Sequence, residues 1–571
     1  MSINGDRKSS AEALTLPEAL VILLFVVLGL IVRAWALWQR GVVDFDQTYY
    51  YILGRNLLSG GGYTLNGLPH TAFGPLYPLF TGIAGLVTSG IHAATSSVTA
   101  VMGTLVVVPV WLLARDIYGR RAGLLAAGAG AVWPALFFFS ARAMGAGAKM
   151  YGGSEPTYAT LVISGILCLW LFARRGGTWR AGAGGFFLGA ASLVRSEGPL
   201  LFAFLLAWVI LDGLFTKRLF ERRHIAGLLA AVLVMAAVHV PFLVHVRRWS
   251  GSWSLGAKLE SNIRIRQAMW DWAVNGRPQA FVRINYALDE SGTQMADPYW
   301  GLTRDHLVQA GEQGVPAGSL ALVLTAEKRW LPVWLGRLVG GRLSIVPWYL
   351  AAVIGLGVLT GPRESVVLRW WCLVAAVLFS SLLVAVSLFV FARHLVVLAP
   401  LLAVAAGRGL VSLQEGAAAL SKRLMPRCAS CCDAAGAAAA GVVLVAMLLH
   451  GVEINLAGNR PANVDNGLSN QAAERVLAER LGEVLPAGST FMCLKPWVAL
   501  WGGFEWRVVP IAPPGRIVTY AAANGIDYAL LEDRLLDASG RLGELSSYHI
   551  GTFHYNENYH LFDLRKARAG H

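Results

Sequence analysis

The sequence contains 571 residues, of which 56% are hydrophobic and only 14% are charged. Soluble domains contain roughly 45–50% apolar and about 25% charged residues, so the composition excludes a soluble protein of this size. The formal net charge of +14 does not indicate a nucleic-acid-binding protein. The basic residues cluster in short loops between apolar runs, and no polar region carries a basic stripe with interleaved aromatic residues.

The apolar residues form runs that are long enough to cross a bilayer, which takes about 20 residues per helix. A shorter stretch from Pro75, rich in proline and glycine, predicts an interfacial or re-entrant segment. The first run lacks a small-residue cleavage site, so we expect a retained helix rather than a signal peptide. The sequence therefore predicts a polytopic α-helical membrane protein with about 11 transmembrane helices: Glu18–Trp38, Thr95–Ala114, Ala122–Ser140, Pro156–Ala173, Ala181–Val194, Pro199–Phe215, Ile225–His245, Leu343–Thr360, Trp370–Phe391, Leu395–Leu413 and Ala434–Gly451.

The loops between these runs predict the orientation of the chain, because cytoplasmic loops carry an excess of Lys and Arg. We expect a cytoplasmic N-terminus over residues 1–17 and a transmembrane domain over 18–452. Two outer loops, 39–94 and 246–342, and a C-terminal domain over 453–571 are expected on the extracytoplasmic side. With this orientation, all five cytoplasmic loops contain basic residues: 115–121, 174–180, 216–224, 361–369 and the loop with Lys422, Arg423 and Arg427.

The segment after Val452 alternates helix-like and strand-like patterns. "QAAERVLAERLGEVLPAG" has helical apolar spacing and a Pro-Ala-Gly stop, whereas "STFMCLK", "RVVPI" and "DYALLE" are short strand-like runs. "YHIGTFHYNENYHLFDL" predicts a terminal hairpin. We therefore expect a small α/β domain here.

The six cysteines predict no disulfide framework. Three of them, Cys428, Cys431 and Cys432, form "CASCC" in a predicted cytoplasmic loop, where thiols stay reduced. No nearby His or second Cys pair completes a metal site. We interpret the motif as incidental.

Two aspartates, Asp44 and Asp46, follow the first helix in "VVDFDQTYYYILGRNLLSGGGY". A carboxylate at the boundary of bilayer and water can act as a general base towards a hydroxyl or help to bind a divalent cation. Alternatively, the aspartates only start the next helix, since Asp is a favoured N-cap. That helix is predicted to be amphipathic and interfacial, with one apolar face: Tyr49, Ile52, Leu53 and Leu57.

The stretch "DFDQTYYYILGRNLLSGGGYTLNG", with "GPLYPLFTGIAGL" after it, resembles the first outer loop of the membrane-embedded glycosyltransferases of the GT-C type. The nearest are the bacterial relatives of dolichyl-phosphate-mannose protein mannosyltransferases and of lipid A aminoarabinose transferase. The resemblance implies the GT-C fold and makes Asp46 the catalytic carboxylate. Gln47 stands where the family usually has a second acid, so the chain departs from the strict pair, and Asp44 is the candidate to compensate.

Two later motifs extend this resemblance over roughly residues 16–409. "LGAASLVRSEGPLLFAFLLAWVI" resembles the family's Leu-x-Arg-x-Glu hairpin and contains Arg195 and Glu197. "FARHLVVLAPLLAVAAGRGL" resembles its Arg-Tyr-Leu-Leu-Pro-Leu step, with Arg393 at the arginine and His394 in place of the aromatic residue. An arginine offers a bidentate fork to phosphate, so these residues are candidates for the donor phosphate. Alternatively, the arginines snorkel to the interface and Glu197 is only the partner of Arg195.

The family's second acidic position usually follows a Ser-Arg step by four or five residues, whereas here Arg142 precedes Glu155 by thirteen. Glu155 still opens a predicted helix, as Ser-Glu-Pro, so it matches by context and not by spacing. The alternative is that Ser154 caps this helix and Glu155 favours its positive end. We expect the glycine-rich insertion to be a mobile loop over the acceptor, from which Arg142 and Lys149 bind phosphate. His70, in "LPHTAFGP", is a further phosphate candidate.

By resemblance, the chain is expected to move a sugar from a polyprenyl-monophosphate donor to a hydroxyl of a protein, lipid or glycan acceptor. The resemblance also implies inversion at the sugar and a location in the bacterial inner membrane, in contact with membrane lipids. Asp46 and Glu155 are candidate ligands of Mg²⁺ or Mn²⁺, the only cofactor considered. Two alternatives stay open: an oligosaccharyltransferase-like enzyme with a diphosphate-linked oligosaccharide donor, and a non-catalytic lipid-glycan flippase or transporter.

Overall fold

The structure is a computed structural model. Five predicted site residues lie outside the residues that it describes: Asp44, Arg142, Lys149, Arg393 and His394. Most of the predicted outer loop 246–342 also lies outside them. The described residues are 15–38, 45–137, 153–251, 253, 288, 291–294, 339–340, 346–361, 365–387, 395–425, 428–458, 468–510, 512–533, 542–554 and 558–568.

The described part of the chain is almost entirely helical up to Gly458. Two pairs of two-residue strands interrupt the helices: β1 (Thr64–Leu65) with β2 (Leu68–Pro69), antiparallel, and β3 (Val339–Gly340) with β4 (Val346–Pro347), parallel. The helices are α1 (Leu16–Trp38), α2 (Phe45–Leu58), α3 (Leu76–Val87), α4 (Gly90–Leu105), α5 (Val107–Tyr118), α6 (Arg120–Val132), α7 (Pro134–Phe137), α8 (Glu155–Arg175), α9 (Thr178–Ser192), α10 (Gly198–Phe215), α11 (Arg222–Ser250), α12 (Trp348–Thr360), α13 (Ser365–Ser387), α14 (Leu398–Leu424) and α15 (Ala429–Gly458).

Each of the eleven predicted membrane runs is mainly helical over its described residues. Within the described ranges, seven helices are long and apolar enough to cross a membrane: α1, the α4–α5 pair, α8, α10, α11, α13 and α15. The chain is therefore a multi-pass membrane protein. The other four predicted runs fall on α6, α9, α12 and α14, which are shorter or carry more charged residues. Helix α8 is the most enclosed of the seven, with 83% of its apolar window buried.

The stretch from Pro75 forms α3, a helix of 12 residues. At 1.5 Å per residue, this helix is too short to span the hydrocarbon core, and its position in the membrane stays a prediction. Helix α3 packs directly on α2 at two glycines. A Cβ at Gly54 would lie 2.0 Å from the carbonyl oxygen of Pro78, and one at Gly82 would lie 2.7 Å from that of Gly54. Only glycine permits this backbone approach.

A buried arginine joins α1 to the end of α6. Pro134 ends α6 and has no N–H to donate to the carbonyl of Gly130. Arg33, 1% exposed, donates to that carbonyl at 3.1 Å and to the carbonyl of Ala131 at 2.8 Å. Because this helix end is buried away from water, the guanidinium supplies the hydrogen bonds that it lacks.

A five-stranded sheet forms the C-terminal region, as the sequence predicts. Its strand order is β6-β5-β7-β9-β8; β5 runs parallel to β6 and β7, whereas β9 runs antiparallel to β7 and β8. β6 begins two residues before the predicted "RVVPI" run. The elements are α16 (Leu468–Val484), β5 (Thr490–Cys493), α17 (Pro496–Trp501), β6 (Glu505–Arg507), α18 (Pro514–Ala523), β7 (Tyr528–Glu532), η1 (Leu542–Tyr548), β8 (His549–His554), β9 (Asn558–Asp563) and α19 (Arg565–Arg568).

A buried lysine lies at the ends of these strands. Lys495 Nζ lies 2.5 Å from an oxygen of Glu474 and 3.1 Å from one of Glu532, and it donates to the Tyr559 hydroxyl at 3.1 Å. Burial by itself would lower the pKa of Lys495, but the two carboxylates outweigh it and the pKa is raised. Lys495 therefore stays charged and ties α16 to β5, β7 and β9.

The expectation that the cysteines form no disulfide is wrong. Cys428 and Cys431 are joined by a disulfide at the start of α15. Their Cα atoms are 5.3 Å apart, within the range that a disulfide bridges, because two intervening residues enter the first turn of the helix.

Replacing Arg33 by Met should leave the carbonyls of Gly130 and Ala131 without a donor. A buried, unsatisfied polar group costs about 1–3 kcal/mol, so we expect a lower melting temperature in detergent. The control is Arg121→Met, because Arg121 is exposed at the start of α6. Equal melting temperatures for the two variants would contradict the role given to Arg33.

Candidate active site

Two predicted acidic residues meet at a buried tyrosine. Asp46 lies in the first turn of α2, and Tyr50 follows one turn later on the same face. The Tyr50 hydroxyl lies 3.5 Å from the Ser154 hydroxyl, next to Glu155. Burial raises the pKa of Tyr50, and the charges of Asp46 and Glu155 raise it further. Both carboxylates therefore act electrostatically on the Tyr50 hydroxyl.

Aromatic packing holds Tyr50 in this position. Its ring lies edge-on to Phe73 at 4.8 Å and to Tyr77 at 4.9 Å, between ring centroids. The hydroxyl of Tyr77 is 3.0 Å from that of Thr99, which donates to the carbonyl of Gly153. Helices α2, α3 and α4 are therefore linked to the segment that leads into α8.

Helix α8 begins at Glu155, as the Ser-Glu-Pro context predicts. Pro156 occupies the first turn, where its missing N–H is not needed. The expectation that Ser154 caps the helix is wrong: its backbone is already helical and its side chain makes no capping hydrogen bond. Its hydroxyl faces Tyr50 instead. Glu155 is 5% exposed, at the helix end that favours negative charge.

Arg195 forms ion pairs with Glu155 and Glu197. It lies in the turn between α9 and α10, where Nη1 donates to Glu155 Oε1 at 2.8 Å and Nε donates to Glu197 Oε1 at 2.8 Å. Its side chain is 8% exposed. The snorkelling alternative is wrong, because the guanidinium turns into the protein. The pairing of Glu197 with Arg195 is confirmed.

The charge of Arg195 is secured by these partners. Burial by itself would lower its pKa, but the charges of Glu197 and Glu155 outweigh burial and the pKa is raised. The guanidinium also lies 5.9 Å from the ring centroid of Tyr158. Arg195 therefore holds Glu155 in one position.

A cleft opens beside this ion cluster and encloses about 390 Å³, including the space at its open mouth. The sequence analysis did not identify Tyr50, Tyr158, Ser380 and Ser381 as site residues. For the two serines, the only indication in the sequence was their position side by side in the apolar run "LFSSLL". The lining residues are Glu155, Tyr158, Arg195, Glu197, Leu201, Ser380, Ser381, Val384, Val396 and Val397.

His70 lies near the site and is 1% exposed. Its Nε2 accepts a hydrogen bond from the backbone N–H of Phe73 at 3.0 Å, and its carbonyl oxygen is 3.0 Å from His245 Nε2. Since Nε2 is an acceptor, the ring proton lies on Nδ1. These contacts fix the segment between β2 and α3. Phosphate binding by His70 stays a prediction.

Solved structures resemble this chain over nearly its whole length. ArnT from Cupriavidus metallidurans in the apo state matches with a TM-score of 0.54 at 14% identity, covering 95% of this chain and 97% of that chain. The same protein bound to undecaprenyl phosphate matches with a TM-score of 0.52 at 15% identity, covering 95% and 98%. The chain has the GT-C fold. No protein-family model and no curated protein matches the sequence.

A third similar structure is the oligosaccharyltransferase AglB from Archaeoglobus fulgidus, in complex with an inhibitory peptide and a dolichol-phosphate. It covers 95% of this chain and 74% of that chain at 14% identity. Its TM-score of 0.48 is too low to carry an argument. The GT-C assignment therefore depends on the two ArnT structures.

The C-terminal sheet of this GT-C chain contacts the helix that carries Asp46. The ring of Trp506, on β6, lies 5.6 Å from the ring of Tyr49 on α2. One residue after β6, the backbone N–H of Val508 donates to Asn66 in the β1–β2 turn at 3.3 Å. The edge of the sheet thus supports α2 beside the candidate site.

The described residues contain no group of three His, Cys, Asp or Glu side chains that would hold a metal ion. Mg²⁺, however, is usually bound by one or two carboxylates together with substrate phosphates and water. Asp46 and Glu155 are two carboxylates of the kind that such a site uses, and metal binding by them stays a prediction. They do not form a closed structural metal site.

Replacing Arg195 by Met should remove the guanidinium that pairs with the buried Glu155 and with the mostly buried Glu197. Breaking a buried ion pair in this way costs about 3–5 kcal/mol, so the melting temperature in detergent should fall. The control is Arg475→Met, because the Arg475–Glu479 pair is exposed and worth about 0.5 kcal/mol or less. If the two variants have the same melting temperature, the ion cluster does not stabilise the protein.

Replacing Trp506 by Ala should release the sheet from α2. Truncating a buried tryptophan costs about 3–5 kcal/mol, and Trp506 is 5% exposed. We expect limited proteolysis to cut residues 459–571 faster than in the parent protein. The control is Trp179→Ala, since Trp179 is 69% exposed. Unchanged cleavage in the Trp506 variant would show that the contact does not hold the sheet.

Proposed function

We propose that this chain is a membrane glycosyltransferase that transfers a sugar from a polyprenyl-monophosphate donor to an acceptor hydroxyl. The observation that carries the proposal is that the charges of Asp46 and Glu155 both act on the buried Tyr50, beside a cleft that contains Arg195. The GT-C fold supports it, since one of the similar ArnT structures was solved with undecaprenyl phosphate. The orientation given by the basic loops puts this site at the outer face of a bacterial inner membrane, with residues 453–571 as an extracytoplasmic domain.

Asp46 is the proposed general base. It takes the proton of the acceptor hydroxyl as the oxygen attacks the anomeric carbon. A new bond joins that carbon to the acceptor oxygen, and the bond to the phosphate oxygen breaks, so the polyprenyl phosphate leaves with the electron pair. Attack from the face opposite the leaving group inverts the configuration at the sugar.

Arg195 is the proposed positioning residue for Glu155, because two carboxylates already occupy its guanidinium. Charge on the departing phosphate is then stabilised by other cations. Arg393 and His394 are the proposed groups, as they precede the cleft residue Val396 by three and two positions. A divalent cation held by Asp46 and Glu155 would add positive charge next to the phosphate.

Isosteric replacement of Asp46 by Asn removes the base without changing the size of the side chain. Transfer from an undecaprenyl-phosphate sugar should fall by at least about 100-fold, with an unchanged melting temperature. The control is Glu505→Gln, a half-exposed carboxylate at the start of β6. Parent-like turnover in the Asp46 variant would exclude this mechanism.

Native mass spectrometry of the purified protein tests the donor class separately. We expect a retained polyprenyl-monophosphate sugar. A retained diphosphate-linked oligosaccharide would instead make the chain oligosaccharyltransferase-like. Lipid exchange across a vesicle without sugar transfer would make it a flippase.

A further inference from the structure

Two consecutive serines form part of the wall of the cleft. Ser380 and Ser381 lie about two turns before the end of the membrane helix α13 and are 2% and 7% exposed. Both line the same cleft as Glu155 and Arg195. Because successive helical residues point about 100° apart, the two hydroxyls face different parts of the cleft.

Some hydroxyls in the other membrane helices of this chain donate to the backbone of their own helix. Ser164 donates to the carbonyl of Thr160 and Thr104 to that of Ala100, each at 2.8 Å and four residues earlier in the helix. Within the described ranges, no hydrogen bond of this or any other kind involves the side chains of Ser380 and Ser381. Both residues line the cleft, so their hydroxyls are available for a ligand there.

The charges of the residues that line the cleft determine which part of a ligand can bind in it. Glu155 and Glu197 contribute −2 and Arg195 contributes +1, so the ten lining residues carry −1 when all three groups are ionised. Both carboxylates bind Arg195, which leaves this wall unfavourable for a phosphate. A sugar is uncharged and presents hydroxyls that donate to carboxylates and exchange hydrogen bonds with serine.

We propose that Ser380 and Ser381 bind hydroxyl groups of the transferred sugar and contribute to the choice of that sugar. This inference rests on the proposed glycosyltransferase function. The apolar side chains of Leu201, Val384 and Val397 pack against the carbon face of the ring. The phosphate lies outside this wall, so the serines distinguish one donor from another by the sugar and not by the lipid phosphate.

The experiment measures the affinity of the full-length protein in nanodiscs for two kinds of lipid. One is bare undecaprenyl phosphate; the other is a panel of undecaprenyl phosphates carrying glucose, mannose, galactose or aminoarabinose. The test variant is Ser380→Ala with Ser381→Ala, and the two single variants give the same comparison if the double variant does not fold. Ser164→Ala is the matched control, because its hydroxyl bonds to its own helix. Ser380→Thr keeps a hydroxyl and should retain binding.

We expect the best-bound sugar lipid to lose affinity about tenfold for each hydroxyl removed, with bare undecaprenyl phosphate and the Ser164 variant unchanged. If the sugar lipid and the bare lipid lose affinity equally, the serine hydroxyls bind the phosphate and not the sugar. This result would overturn the inference. Unchanged affinity for both lipids would also overturn it, while the proposed function would stand. If the parent protein binds none of these lipids, the proposed donor class is wrong and the inference falls with it.

Discussion

The candidate site depends on one ion cluster, formed by Arg195, Glu155 and Glu197 at the starts of α8 and α10. Arg195 joins Glu155, at the start of α8, to Glu197, at the start of α10. In a medium of low dielectric constant, each of these charges would be costly alone, and together they compensate one another. The cluster therefore sets the distance between two helices and fixes the carboxylate that faces Tyr50 and Ser154.

The second carboxylate reaches the site through backbone packing rather than through charge. Helix α2 approaches α3 so closely that Gly54 and Gly82 leave no room for a side chain, and Trp506 packs on the other side through Tyr49. Asp46 is thus carried by a helix that is held between a short apolar helix and the C-terminal sheet. The C-terminal sheet and the first helices of the chain therefore pack around the same helix.

Much of the fold followed from the spacing of apolar residues. Each predicted membrane run is mainly helical over its described residues, and the strands of the C-terminal sheet lie within a few residues of their predicted positions. The failures were local. The cap expected of Ser154 is absent because its hydroxyl meets Tyr50, and Cys428 and Cys431 are joined although their loop suggested reduced thiols. The type of a residue indicates which partners its side chain can bond to. Which of these partners is within reach depends on the folded structure.

The sequence by itself determined that this chain crosses a membrane many times, because hydrophobic burial is a property of segments about 20 residues long. It also indicated that Asp46, Glu155 and Arg195 are candidate functional residues, because charged residues in or beside membrane helices usually have a functional role. Only the tertiary structure decided that Arg195 pairs with carboxylates and that Ser380 and Ser381 face the same cleft. Those contacts join residues far apart in the chain, and their geometry depends on how whole helices pack, which no local pattern encodes.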